Sequence, residues 1–182
     1  MAHLKLPEGV KYSQVPDRSL VEMLLAGDID CMISAHPPHA FETGNPAIAR
    51  LVPNYREAEQ AYFDETGIFP IMHTIAIKRE VYDEYPWIAR NLMTAFEEAR
   101  DRSVARLTSV TASQIPVPWG YENAERVGRG IFGDHGLWPY GIEASRTTIE
   151  AFLQYCFEQG VCHRKLTPEE LYAPEAMSEF VI

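Results

Sequence analysis

Cysteine is scarce in this 182-residue chain, and the three present, Cys31, Cys156 and Cys162, are odd in number and lack paired spacing. No disulfide framework follows from them, and no second cysteine pair completes a zinc signature. Cys156, Cys162 and His163 are close in sequence. However, Cys156 shares the apolar face of a helical pattern with Ile149, Phe152 and Leu153, which makes it a packing residue and leaves no metal site expected. Basic charge is also short. Against 26 Asp and Glu stand 16 Lys and Arg, giving a formal net charge of −10. That balance argues against non-specific nucleic-acid binding, which draws on clustered cations to neutralise phosphate. No apolar run approaches the ~20 residues that span a bilayer, so no membrane partner is expected. The N-terminus, Met1-Ala2-His3-Leu4-Lys5-Leu6-Pro7, lacks the apolar core of a secretory signal, and a cytoplasmic protein is the expectation. Internal repeats and low-complexity linkers are missing too. What remains is ordinary for a soluble globular protein, at a length suited to one domain with a sizeable core and short for two.

The pattern along the chain alternates strand and helix signals before turning helical. Residues 11–15 read as extended. Ser19-x-x-Glu22 is a capping box opening a helix over 20–26, Gly27 stops it, and 29–34 is a short apolar strand. In His36-Pro37-Pro38-His39 the prolines forbid both helix and central strand, so the loop to Pro46 is expected to be irregular and exposed. Asn54-x-x-Glu57 caps a second helix running to about Glu65. Gly67 closes it, because glycine adopts the left-handed C-cap conformation without strain. Residues 68–77 then form an apolar run rich in β-branched residues, predicted to be a buried strand, with the titratable His73 near its middle.

Pro86 opens the longest helix, to about Leu107, with Ile88, Leu92, Ala95, Phe96, Ala99 and Ser103 as the predicted inner stripe. Trp87 and Phe96 are expected in the core. A weaker helix is predicted over 121–132, another from Ser145 through Gln159, and a last short one after Thr167-Pro168-Glu169-Glu170. The layout is mixed α/β, with few strands to close a sheet.

At Thr66 to His73 (TGIFPIMH), with Pro86-Trp87, Trp138-Pro139-Tyr140-Gly141 (WPYG), Arg146 and the Gln159-Gly160 ending, the sequence resembles the 4,5-dihydroxyphthalate decarboxylases. These are cytoplasmic enzymes related in fold to the substrate-binding proteins of transporters. Residues 16–34 look like the helix and strand that close the second lobe of that fold. The resemblance implies an α/β chain forming part of a two-lobed periplasmic-binding-protein-like (type II) fold, helix-rich towards its C-terminus. Residues 1–40 would then be a remnant of the second lobe, 41–52 a crossover loop, and 53–182 a helix-rich part returning to the first lobe, all within one compact unit. The first lobe would precede residue 1 and so lie outside these 182 residues. The apolar face it would cover implies a homo-oligomer.

The activity implied is loss of one carboxylate from 4,5-dihydroxyphthalate, giving protocatechuate. Each hydroxyl of that substrate is para to a carboxylate, so a phenolate can raise charge at the ring carbon that takes a proton before carbon dioxide leaves. Such a site needs a cation for the carboxylate that stays, a base for the phenol and an acid for the ring carbon. No metal or organic cofactor is required, since the catechol ring stores the electrons.

His73 is the leading acid or base, because imidazole titrates near neutral pH. Its alternative is a buried histidine bonded to a main-chain carbonyl. His36, on the Pro-rich loop after a strand end, is second, and His39 has less to commend it. Arg146 is suited to clamp a carboxylate, or instead to pair with Glu150; Arg79 is a reserve cation. Trp138 and Tyr140 sit in a Pro-Gly turn where they can wall a flat ring pocket, with the Tyr140 hydroxyl facing a catechol oxygen; the alternative for Trp138 is a plug at a core edge. Ser34 offers a hydroxyl to a ligand carboxylate, or is a turn residue. The alternative function is a non-catalytic solute-binding protein or sensor of the same fold, holding a small aromatic or carboxylate ligand.

Overall fold

The computed structural model describes residues 6–109, 111, 116–133 and 137–177. Two compact units divide the chain where one was expected: residues 8–65 form the first, and residues 66–182 with 1–7 the second. The division falls between Glu65 and Thr66, next to Gly67, and not inside the 41–52 segment. Gly67 takes a φ of 66°, the left-handed conformation that ends a helix.

The first unit holds three helices, α1 (Leu20–Ala26), α2 (His39–Glu42) and α3 (Tyr55–Thr66, whose last residue belongs to the second unit). Helix α1 has the limits its sequence signals predict. The Ser19 main-chain N–H donates to Glu22 Oε2 at 2.8 Å, and the Glu22 N–H donates back to Ser19 Oγ at 3.2 Å. This reciprocal pair satisfies two N–H groups that the first helical turn leaves open. The one-turn α2 was not foreseen in a loop expected to be irregular; it starts directly after Pro38, whose φ of −67° already suits a helix entry. Arg50 lies over the rings of Phe41 (5.2 Å) and Tyr55 (4.7 Å), tying the loop to the start of α3. No described residue of this unit is buried.

The second unit contains α4 (Arg79–Glu84), α5 (Trp87–Leu107), α6 (Gly120–Val127) running into a π-helical turn (Gly128–Phe132), α7 (Ile142–Glu158), α8 (Pro168–Leu171) and a 3-10 turn (Pro174–Ala176). Its core lies along α7, where Ile142, Ile149 and Leu153 are at most 4% exposed and Leu166, Tyr172 and Met177 pack on them. Tyr82 donates to Glu175 Oε2 at 2.7 Å, fastening α4 to the 3-10 turn across 93 residues of sequence. Gly128 packs closely: a Cβ there would lie 3.1 Å from Leu137 Cδ2, so that side chain would have to give by a few tenths of an ångström.

Two expectations about packing are corrected. The buried side of α5 is led by Ala89 with Leu92, Met93, Arg100, Val104 and Leu107, while Ala95, Phe96, Ala99 and Ser103 face outward. The helix carries apolar residues on two sides, and contacts with α4, α6 and the 3-10 turn choose between them. Trp87 and Phe96, expected in the core, are exposed.

The three expected strands, 11–15, 29–34 and 68–77, are also not formed. Among the described residues every regular element is helical, and these segments carry no ladder. A helix closes its hydrogen bonds inside its own segment, but a strand needs a second one alongside. Segment 68–77 begins firmly, with the Phe69 N–H donating to Thr148 Oγ1 at 3.1 Å. Beyond it, no hydrogen bond joins the main chain of residues 71–77 to any described residue.

Candidate functional site

The second unit brings together the two motifs TGIFPIMH and WPYG, which lie some seventy residues apart in sequence. The Phe69 ring meets Trp138 edge-on at 5.3 Å and Phe132 at 5.1 Å, and Phe132 and Trp138 are 5.9 Å apart. Edge-to-face contacts at these distances are the favoured aromatic geometry. Trp138 holds a φ of 58°, in the left-handed region. Such a conformation in a bulky residue costs about 1–3 kcal/mol and persists only where its surroundings over-determine it. The ring contacts with Phe69 and Phe132 provide that constraint. Half of Trp138 remains exposed while Phe132 is buried, so the cluster presents the Trp138 ring, propped edge-on by Phe69, at the surface of the unit.

Thr148 anchors this cluster from below. It is buried on α7 beside Ile149, and its hydroxyl accepts the Phe69 N–H. Replacing Thr148 with the isosteric valine strands that N–H, at an expected cost of about 1–3 kcal/mol. Urea unfolding of the variant checks this, and the indole fluorescence of the trio should shift with it. Neither Thr148 nor Phe132 was singled out from the sequence. The burial of Thr148 was not readable from the helical period, since it lies about 100° or more around α7 from the stripe Ile142, Ile149 and Leu153.

His73 lies four residues beyond Phe69. It is exposed, not enclosed as a buried strand required, because segment 68–77 has no neighbour to cover it. The main-chain-bonded alternative does not hold either: the imidazole makes no hydrogen bond or ion pair with any described residue. Tyr140 is half-buried with its ring 5.1 Å beneath the Arg100 guanidinium, a contact the sequence did not suggest. Arg79 is exposed at the start of α4, 4.0 Å from Asp83 and over the Tyr82 ring at 5.7 Å.

Ser34, His36 and His39 belong to the first unit. The Ser34 hydroxyl donates to the His36 carbonyl at 2.7 Å and accepts the His36 N–H at 3.4 Å, which is a local turn. The His36 and His39 side chains are exposed. Among the described residues, no three His, Cys, Asp or Glu side chains gather as a metal-ligand set.

Arg146 is surrounded by acids. Its guanidinium reaches Glu143 at 2.5 Å, Glu169 at 2.9 Å and Glu150 at 3.4 Å. The hydrogen bond to Glu143, then that to Glu169, pushes the arginine upward, so its charge is permanent. In return Arg146 holds Glu143 below the ordinary carboxylate range; Glu169 is lowered first by its own main-chain N–H and then by Arg146. The arrangement clips α7 to α8. Groups lowered in the folded state stabilise it above their ordinary value of 4.5 and stop doing so as pH falls through their lowered folded values. Thermal melts should therefore change little between pH 7 and pH 5 and fall below about pH 4, and Arg146→Ala should flatten that acid limb.

No family model matches the chain. A curated protein of Comamonas testosteroni, 4,5-dihydroxyphthalate decarboxylase, is 31% identical to it over 180 residues, which are 98% of this chain and 54% of that protein. The chain therefore spans about half the length of the curated relative it matches. Among the described residues, no helix is long and apolar enough to cross a membrane.

Proposed function

We propose that this chain serves the decarboxylation of a hydroxylated aromatic dicarboxylate, with 4,5-dihydroxyphthalate as substrate and protocatechuate and carbon dioxide as products. The observation that carries the reading is the likeness, along almost the whole chain, to a protein named for that reaction. The meeting of TGIFPIMH with WPYG supports it, because Phe69 props the half-exposed Trp138 ring edge-on and leaves that one ring face for a flat substrate.

In this proposal the catechol stacks against Trp138. The Tyr140 hydroxyl addresses a phenolic oxygen, and Arg79 takes the carboxylate that is retained. His73 gives a proton to the ring carbon bearing the departing carboxylate. The electron pair of the broken C–C bond returns to the ring as carbon dioxide leaves. Arg146 is already held by three glutamates and is not assigned to substrate. The proposal carries with it a cytoplasmic location and the α/β two-lobed fold, whose sheet would draw on the segments that stand unpaired here.

Mixing the protein with 4,5-dihydroxyphthalate and following carbon dioxide and protocatechuate tests the reading. Release of both in equal amounts supports it. Binding of the diacid with no release of either would point to the solute-binding alternative.

A further inference from the structure

We propose that Cys156 and Cys162 are a reversible dithiol–disulfide pair, oxidised by hydrogen peroxide, that locks the C-terminal turn of α7. Five residues separate them, a spacing that by itself pairs nothing. The turn pairs them. Gly160, at a φ of 71°, reverses the chain where the helix ends. The N–H groups of Val161 and Cys162 then both donate to the Cys156 carbonyl, at 2.9 and 3.0 Å. Bond lengths on either side of the Cys162 hydrogen bond keep the two Cα atoms no more than about 7 Å apart, the outer edge of the ~4.4–6.8 Å that a disulfide spans. Both side chains are half-buried, neither sealed in the core nor fully in solvent. The third cysteine, Cys31, is exposed in the first unit.

The two thiols differ in reactivity. Burial pushes the Cys156 thiol up, and the charge of Cys162 adds to the rise. The thiolate is the nucleophile, so Cys162 reacts first. Its sulfur attacks hydrogen peroxide, the O–O bond breaks, and a sulfenic acid and one water result. The Cys156 sulfur then attacks that of Cys162; the S–S bond forms, and the sulfenic oxygen departs with the thiol proton as a second water. Dithiothreitol returns both thiols by exchange through a mixed disulfide. Oxidation also removes the Cys162 S–H, which donates to the Arg164 carbonyl at 3.2 Å. Arg164 in turn reaches Glu170 at 2.6 Å, and the Thr167 N–H donates to the same carboxylate at 2.9 Å where α8 starts. The pair therefore sits where a change at the end of α7 is felt at the start of α8.

A flexible chain also closes cysteines at this spacing, so the test asks whether the fold favours the bond. Cys31→Ser leaves Cys156 and Cys162 as the two thiols. This variant is equilibrated with reduced and oxidised glutathione, in buffer and in urea, and the disulfide fraction is read by mass after alkylation of the remaining thiols. The equilibrium constant for closing the pair should be at least about 10-fold larger in the folded chain than in urea. Hydrogen peroxide added to the parent chain should join Cys156 to Cys162, seen on digestion as a linked peptide two hydrogens lighter, and dithiothreitol should undo it. With Cys156→Ser, the same treatment should carry Cys162 on to the sulfinic acid, two oxygens heavier. A smaller ratio between buffer and urea would overturn the inference. So would peroxide driving Cys162 to the sulfinic acid in the parent chain, with Cys156 left as a thiol. None of these readouts depends on turnover.

Discussion

Replacing His73 with alanine is expected to lower kcat for carbon dioxide release from 4,5-dihydroxyphthalate by about 10²–10⁴-fold, the usual worth of a positioned proton donor. On the proposed arrangement, with the imidazole acting on the ring carbon and Trp138 and Arg79 holding the substrate, the effect should fall on kcat more than on KM. Structure should survive the change. His73 is exposed and bonded to nothing among the described residues, so the melting temperature of His73→Ala should stay with the parent. His73→Gln keeps the polarity but cannot cycle a proton near neutral pH, and should be as impaired as alanine. A variant retaining more than a tenth of the parent kcat would remove His73 from the mechanism.

Leu153→Ala should produce the largest loss of stability. Leu153 is 4% exposed at the centre of the α7 cluster, between Ile149 and the side chains arriving from α8 and the 3-10 turn. Truncating a buried leucine costs about 2–5 kcal/mol through lost transfer energy and the cavity left behind. A native domain commonly holds only ~5–15 kcal/mol in total, so this one change threatens the folded state. The expected fall in melting temperature is roughly 5–15 °C. Phe96→Ala provides the contrast. Read by helical period, Phe96 is a core residue of α5 and its loss should be as damaging; in the structure it is exposed, and its loss should cost well under half as much. A larger shift for Phe96→Ala than for Leu153→Ala would reverse the assignment of which faces are buried.

Helices α1, α3, α5 and α8 were legible because their determinants are local, whereas α2 and α4 were not foreseen. Ser19 and Glu22 cap α1 through three residues of separation, Gly27 and Gly67 stop helices by their own conformational freedom, and Thr167-Pro168-Glu169-Glu170 opens α8 with the Thr167 N–H donating to Glu170 at 2.9 Å. The π-helical turn over 128–132 was folded into one expected helix, since neither glycine announces the change of hydrogen-bond spacing. The candidate site was legible as two motifs but not as one cluster. Phe69 and Trp138 meet only because α7 offers Thr148 to the Phe69 N–H and Phe132 fills the corner between them.

By itself the sequence determined the limits of α1 and α5 and the starts of α3 and α8, that no apolar run is long enough for a helical membrane span, and that TGIFPIMH and WPYG are the residues to watch. Only the tertiary structure decided which side of α5 is buried, that Arg146 is held by Glu143, Glu150 and Glu169, that His73 stands in solvent, and that residues 71–77 have no ladder. The physical reason is range. A helix settles its own main-chain hydrogen bonds within four residues, whereas a strand, an ion cluster or an aromatic cluster is settled by whichever distant residue arrives beside it.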